Sequence, residues 1–153
     1  MEINCEIIIQ GREALGVTRE HVAAFVGVSK EHYWDAESHG DEAYTFTVGQ
    51  VLRLCVLLRL SPREVVFESS KAPAQPLALA GNDIIGALRE LAGEIEDIEK
   101  ATGWEAGFLS ECLADDTAFG KMPLPALGDL CRSLQVDPLD VLTAYWDAVR
   151  LER

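Results

Sequence analysis

Sliding the chain along itself by 76 positions brings residue types into register, without a gap, from residue 8 to residue 66. Ile8-Ile9 falls on Ile84-Ile85, Leu15 on Leu91, Glu20 on Glu96, Val22 on Ile98, Gly27 on Gly103 and Tyr33 on Leu109. Further on, Leu54-Cys55 meets Leu130-Cys131, Leu58 meets Leu134, Pro62 meets Pro138, and Val65-Val66 meets Val141-Leu142. Chance supplies apolar matches between any two helical stretches, but not glycine, cysteine and proline coincidences alongside them. The chain reads as a duplicated unit, residues 1–68 and 82–153. The joining stretch, 69–81, holds Pro73, Pro76, Gly81 and small polar residues, a linker composition.

Within each unit the periodicity is helical, with almost no alternation of the β type. Ile8, Ile9, Leu15 and Val17 mark a first helix and its exit. Thr18 stands as N-cap to "REHVAAFVG", where Val22, Phe25 and Val26 form a stripe at i, i+3, i+4. Ser29 caps the next helix, with Tyr33 and Ala36 facing inward and Glu31, Asp35 and Glu37 outward. Thr47 opens the long helix "VGQVLRLCVLLRL", and "SPREVVF" is a short closing helix with Pro62 in its first turn. The expectation is an all-α fold: two tandem units of about five helices each, plus a C-terminal helical extension.

The stretches "REALGVTREHVAAFVGVSKEHYWDAE" and "VLRLCVLLRLSPREVV" resemble the phage-repressor (lambda-repressor-like, xenobiotic-response-element) helix-turn-helix family. The shared pattern is a helix ending in Leu-Gly, a capped second helix with alanine at its centre, a Gly-Val-Ser turn, a recognition helix, an apolar fourth helix and a Leu-Ser-Pro close. Residues 8–66 carry it; residues 84–142 carry it more loosely, through "LREL", "IEDIEKATGW" and "LGDLCRSLQVDPLDVL". The resemblance implies a fold. It implies a function far less, since one fold hosts many functions.

The departures bear on that function. Where the family places glutamine after the second-helix N-cap, the first unit has Arg19, able to serve a phosphate, and the second has Ile95, which is not. The first recognition helix offers Lys30, Glu31 and His32, then Trp34 and Asp35. The second offers Glu105, Ala106, Gly107, Ser110 and Glu111, with Asp115 and Asp116 at its end. The glycine expected after the recognition helix arrives late, at Gly40. Residues 1–76 hold 7 basic and 11 acidic residues, net −4; residues 77–153 hold 6 and 15, net −9. Specific duplex binders often make about 6–10 phosphate contacts through lysine and arginine. DNA is therefore open to the first unit only, through Arg12, Arg19, Lys30 and His32.

Other chemistry finds little support in the residues. His21, His32 and His39 fit no common ligand spacing, so no metal is expected, and no cofactor motif is present. No glycine-rich phosphate loop or nucleophile triad suggests an enzyme. Cys55 and Cys131 read as small buried hydrophobes. "EIEDIEK" reads as a solvated helix face, with an acidic docking surface as its functional alternative. The apolar run "VLRLCVLLRL" is broken by Arg53 and Arg59, so no membrane span is expected, and the acidic start "MEINCEIIIQ" lacks a signal peptide's basic head. The expected setting is the cytoplasm.

Two readings follow. In the first, the chain is a transcription-control protein that binds another regulatory protein through Glu31, Trp34, Asp35, Glu105 and Glu111, with Trp34 either an aromatic anchor or folded back over the loop around Tyr44 and Phe46. A covalent tandem would then imitate a repressor dimer or form a mixed complex with a true family member. In the second, the first unit reads an operator and the second serves dimerisation or effector binding. The C-terminal stripe of Tyr145, Trp146 and Val149 either packs on the body or forms a homodimer seam.

Overall fold

The computed structural model describes residues 1–39, 46–68 and 83–151, with side chains up to residue 149. The expected linker, Gly40 and Tyr44 lie outside the described residues. Helices dominate: α1 (Cys5–Leu15), α2 (Arg19–Val26), α3 (Lys30–Ser38), α4 (Val48–Leu58), α5 (Pro62–Val65), α6 (Ile84–Ala92), α7 (Ile95–Thr102), α8 (Phe108–Cys112), α9 (Asp116–Gly120), α10 (Leu124–Leu134) and α11 (Pro138–Leu151). Two short strands, β1 (Glu2–Ile3) and β2 (Val66–Phe67), pair antiparallel and tie the N-terminus to the chain beyond α5. The closing helix expected through Phe67 thus stops at Val65. Two residues per strand are too few to leave an alternating pattern.

Local chemistry starts the helices where the sequence suggests. The side chains of Thr18, Ser29 and Thr47 accept hydrogen bonds from the backbone N–H of His21, His32 and Gln50, relieving orphan donors of the first turns. Gln50 answers by accepting from the Thr47 N–H at 3.0 Å, closing a capping box. α2 ends at Gly27, held at φ 92°, and α7 ends at its offset counterpart Gly103, at φ 84°. α4 and α10 end on the left-handed residues Arg59 and Gln135, again 76 positions apart.

The two halves share one core. Tyr33, Leu54, Cys55, Val65 and Val66 are fully buried, and so are Leu109, Leu130, Cys131, Val141 and Leu142. The seam between the halves is built around the starts of α4 and α10. Val48 donates its N–H to the Met122 carbonyl and Leu124 donates to the Phe46 carbonyl, both at 2.9 Å, with Thr47 opposite Pro123. Residues 46, 47 and 48 are the offset counterparts of 122, 123 and 124, so this contact is self-complementary, in the manner of an isologous dimer interface. Beside it α5 packs on α11, whose first residue, Pro138, is the counterpart of Pro62. Arg63 of α5 pairs with Asp140 of α11.

Close approach at the seam needs a missing side chain. A Cβ on Gly49 would lie 2.9 Å from the Gly120 carbonyl oxygen, closer than such contacts tolerate. Gly49→Ala is therefore expected to push α4 from α9 and cost about 1–3 kcal/mol, read as a lower denaturant midpoint. An unchanged midpoint would contradict this seam.

Candidate functional site

The residues singled out in the N-terminal half converge on the starts of α2 and α3. An open cleft of about 500 Å³ is lined by Arg12, Thr18, Arg19, Glu20, Lys30 and Trp34. Three cations meet there, yet each is held by a carboxylate. Arg12 donates from Nε to Glu37 Oε2 at 2.9 Å and from Nη2 to Oε1 at 3.2 Å, a two-pronged grip. Its Nη1 reaches the Val17 carbonyl at 3.2 Å. Arg19 donates to Glu37 Oε1 at 3.3 Å, and Lys30 pairs with Glu20 at 2.8 Å.

Glu37 is the residue that the sequence pattern places wrongly. Read as outward, it is 4% exposed and lies under α1 and α2, between the two arginines. Its hydrogen bond, ahead of the opposing effect of burial, raises the Arg12 pKa above the ordinary arginine value. Tyr33 beside it is fully buried. Desolvation first, then the Glu37 carboxylate, raises its phenol pKa. The signal that could have found Glu37 is its offset counterpart. Position 37 falls on Leu113, position 12 on Leu88 and position 19 on Ile95. Leu88 and Leu113 are fully buried and Ile95 packs against the core, so an apolar trio stands where the other half has an ion cluster.

The remaining candidates divide. Trp34 is 53% exposed, on the wall of the cleft. His32 stacks on Phe46, with ring centroids 4.9 Å apart. Glu31 is exposed and Asp35 half-buried on α3. Glu105 and Glu111 are exposed in the other half and do not line this cleft. Glu105 lies in a turn rather than on a helix, because α8 begins only at Phe108.

A buried acid makes use of that late start. Glu99, the counterpart of Ala23, is 1% exposed, and its Oε2 accepts the Leu109 N–H at 2.8 Å. It serves as a distant cap for α8, which has only five residues. The stretch "EIEDIEK" is thus solvated except at Glu99 and its two isoleucines. In α11, Trp146 is 8% exposed, and Tyr145 meets Phe119 edge to face at 4.8 Å, so the aromatic part of the C-terminal stripe packs against the body. Burial pushes the Cys55 thiol up to about 12 and also raises that of Cys131, as suits small core residues.

The arrangement defines a predominantly helical protein with a cleft of paired charges beside an exposed indole. No helix among the described residues is long and apolar enough to cross a membrane. No protein-family model matches the chain, and comparison with curated proteins and with solved structures returns no match.

Proposed function

We propose that this chain is a transcription-control protein on a tandem helix-turn-helix scaffold, acting mainly by binding another regulatory protein through the outward face of α3. The observation that carries the reading is the engagement of Arg12, Arg19 and Lys30 by Glu37 and Glu20 while Trp34 stays open. A phosphate approaching the cleft would have to displace carboxylates already in contact, whereas a protein segment would find an aromatic anchor flanked by Glu31 and Asp35. The self-complementary seam supports the version in which the tandem imitates a dimer. Its α5–α11 contact is used within the chain, leaving α3 as the face for a partner. The reading sets this activity in the reducing cytoplasm.

Selection from a randomised duplex library at about 50 mM salt, where phosphate contacts are strongest, tests it. The expected result is that no duplex is retained. Enrichment of a motif, lost on Lys30→Ala and Arg19→Ala, would overturn the reading and favour operator binding, for which the gathering of three cations in one cleft is the specific argument. A companion prediction concerns Trp34 itself. Trp34→Ala is expected to leave the unfolding free energy within about 0.5 kcal/mol of the parent, as for an exposed side chain kept for contact. A larger loss in urea melts would make Trp34 a packing residue.

A further inference from the structure

Helices α4 and α11 leave a continuous groove between them. Its wider part, about 580 Å³, runs past Cys55, Val56, Leu60 and Trp146 to Arg59. A narrower part, about 170 Å³, continues past Leu52 and Val149 to Arg53. Val56 and Trp146 belong to both parts, and Val56 is 36% exposed at the middle.

This groove brings two unengaged arginines together. The chain carries 26 acids against 13 lysines and arginines, so a cation readily finds a carboxylate. Arg12, Arg19, Arg63 and Arg132 each hold one, and Arg89 holds the carbonyls of Leu113 and Ala114. Among the described residues, Arg53 and Arg59 are the arginines that hold neither; Lys100 and Lys121 are likewise exposed and unengaged, but only the two arginines stand at the two ends of one groove. Glu64, the acid lining the Arg59 end, is engaged with the Ser61 N–H at 2.7 Å.

We propose that the α4–α11 groove receives an amphipathic helix of a partner protein, with a carboxylate at each end of its apolar stripe. Arg53 lies within α4 and Arg59 is its left-handed C-cap six positions on, which sets the two backbones about 9 Å apart along the helix axis. A docking helix meets that spacing with acids at i and i+7, about 10.5 Å apart, and apolar residues between them at i+3 and i+4. A single-headed amphiphile such as a fatty acid would satisfy one arginine and leave the other. The site is separate from the α3 face, so neither proposal depends on the other.

The test is fluorescence anisotropy of the full chain with a labelled helical peptide of about 15 residues, carrying glutamates at i and i+7 around a leucine stripe. A control peptide has lysines in place of the two glutamates. The glutamate peptide is expected to bind at least about tenfold more tightly, with that preference shrinking as salt rises. Arg53→Glu with Arg59→Glu is expected to remove the preference and Val56→Asp to weaken both peptides. Lys100→Glu, a single charge reversal on exposed α7, is expected to leave binding unchanged. Circular dichroism on each variant confirms that the fold is retained. Equal binding of the two peptides, or binding indifferent to the arginine reversals, would overturn the proposal. So would dodecanoate binding with no peptide binding, which would assign the groove to a small amphiphile. Self-association that the arginine reversals abolish, without peptide preference, would assign it to a second copy.

Discussion

Glu37→Leu is expected to lower the unfolding free energy by about 3–5 kcal/mol, although it replaces a charge by an apolar side chain in the interior. The loss comes from what it leaves behind. Arg12, only 11% exposed at its side chain, would keep a buried guanidinium whose two bonds to Glu37 are gone. Arg12→Leu is expected to cost a similar amount for the converse reason, since Glu37 would retain only the longer contact from Arg19. Arg19, 44% exposed, can turn to water, so Arg19→Ile alone is expected to cost far less. The three changes together, Arg12→Leu, Arg19→Ile and Glu37→Leu, copy the Leu88, Ile95 and Leu113 of the other half. That triple variant is expected to return to the parent's stability or exceed it, because no charge is then desolvated and the cluster is filled by packing. Urea melts of the singles and the triple measure this as a coupling energy. Costs that simply add would show that the three groups do not act as one cluster.

The same set of variants separates structure from recognition at the cleft. A triple variant that keeps its stability lacks the two arginines that operator reading needs, yet retains Trp34, Glu31 and Asp35. Partner binding that persists in it would mark Arg12 and Arg19 as positioning residues for α3. Duplex binding by the parent that vanishes in it would give them the phosphate role instead.

Much of the helical framework was legible because its signals are local. Thr18, Ser29 and Thr47 declare helix starts within a few residues of the N–H groups they accept from, and Gly27 and Gly103 declare ends by the conformation they allow. The seam was not legible. Thr47 looks like an N-cap and nothing more, and the pairing of residues 46–48 with 122–124 links segments 76 apart through a bridge too short to have a period. Glu37 was misplaced for a related reason. Its partners lie 25 and 18 residues away, and a carboxylate on a short helix reads as solvent-facing unless the arginines that neutralise it are seen. Arg53 and Arg59 read only as interruptions of an apolar run, and their shared groove depends on α11 arriving beside α4.

Ala23→Glu is expected to be about as damaging as the loss of Glu37, at about 3 kcal/mol or more, even though Glu99 occupies the matching position natively. Glu99 is tolerated because α8 begins late and leaves the Leu109 N–H for its carboxylate. At position 23 no such donor waits. The counterpart of Leu109 is Tyr33, whose N–H is already bonded to the Ser29 carbonyl at 3.0 Å inside α3. Ala23 is 3% exposed where α2 packs on α3 and α4, so a carboxylate there must either stay buried without a donor or push α3 away. The second outcome would unwind the start of α3 and release Trp34, Tyr33 and the Arg12–Glu37 contact together. Amide exchange should then rise first at residues 30–38, ahead of α4, with a lowered urea midpoint. A change below about 1 kcal/mol, with α3 amides still protected, would mean that the α2–α3 contact has room for a side chain that this packing leaves no space to hold.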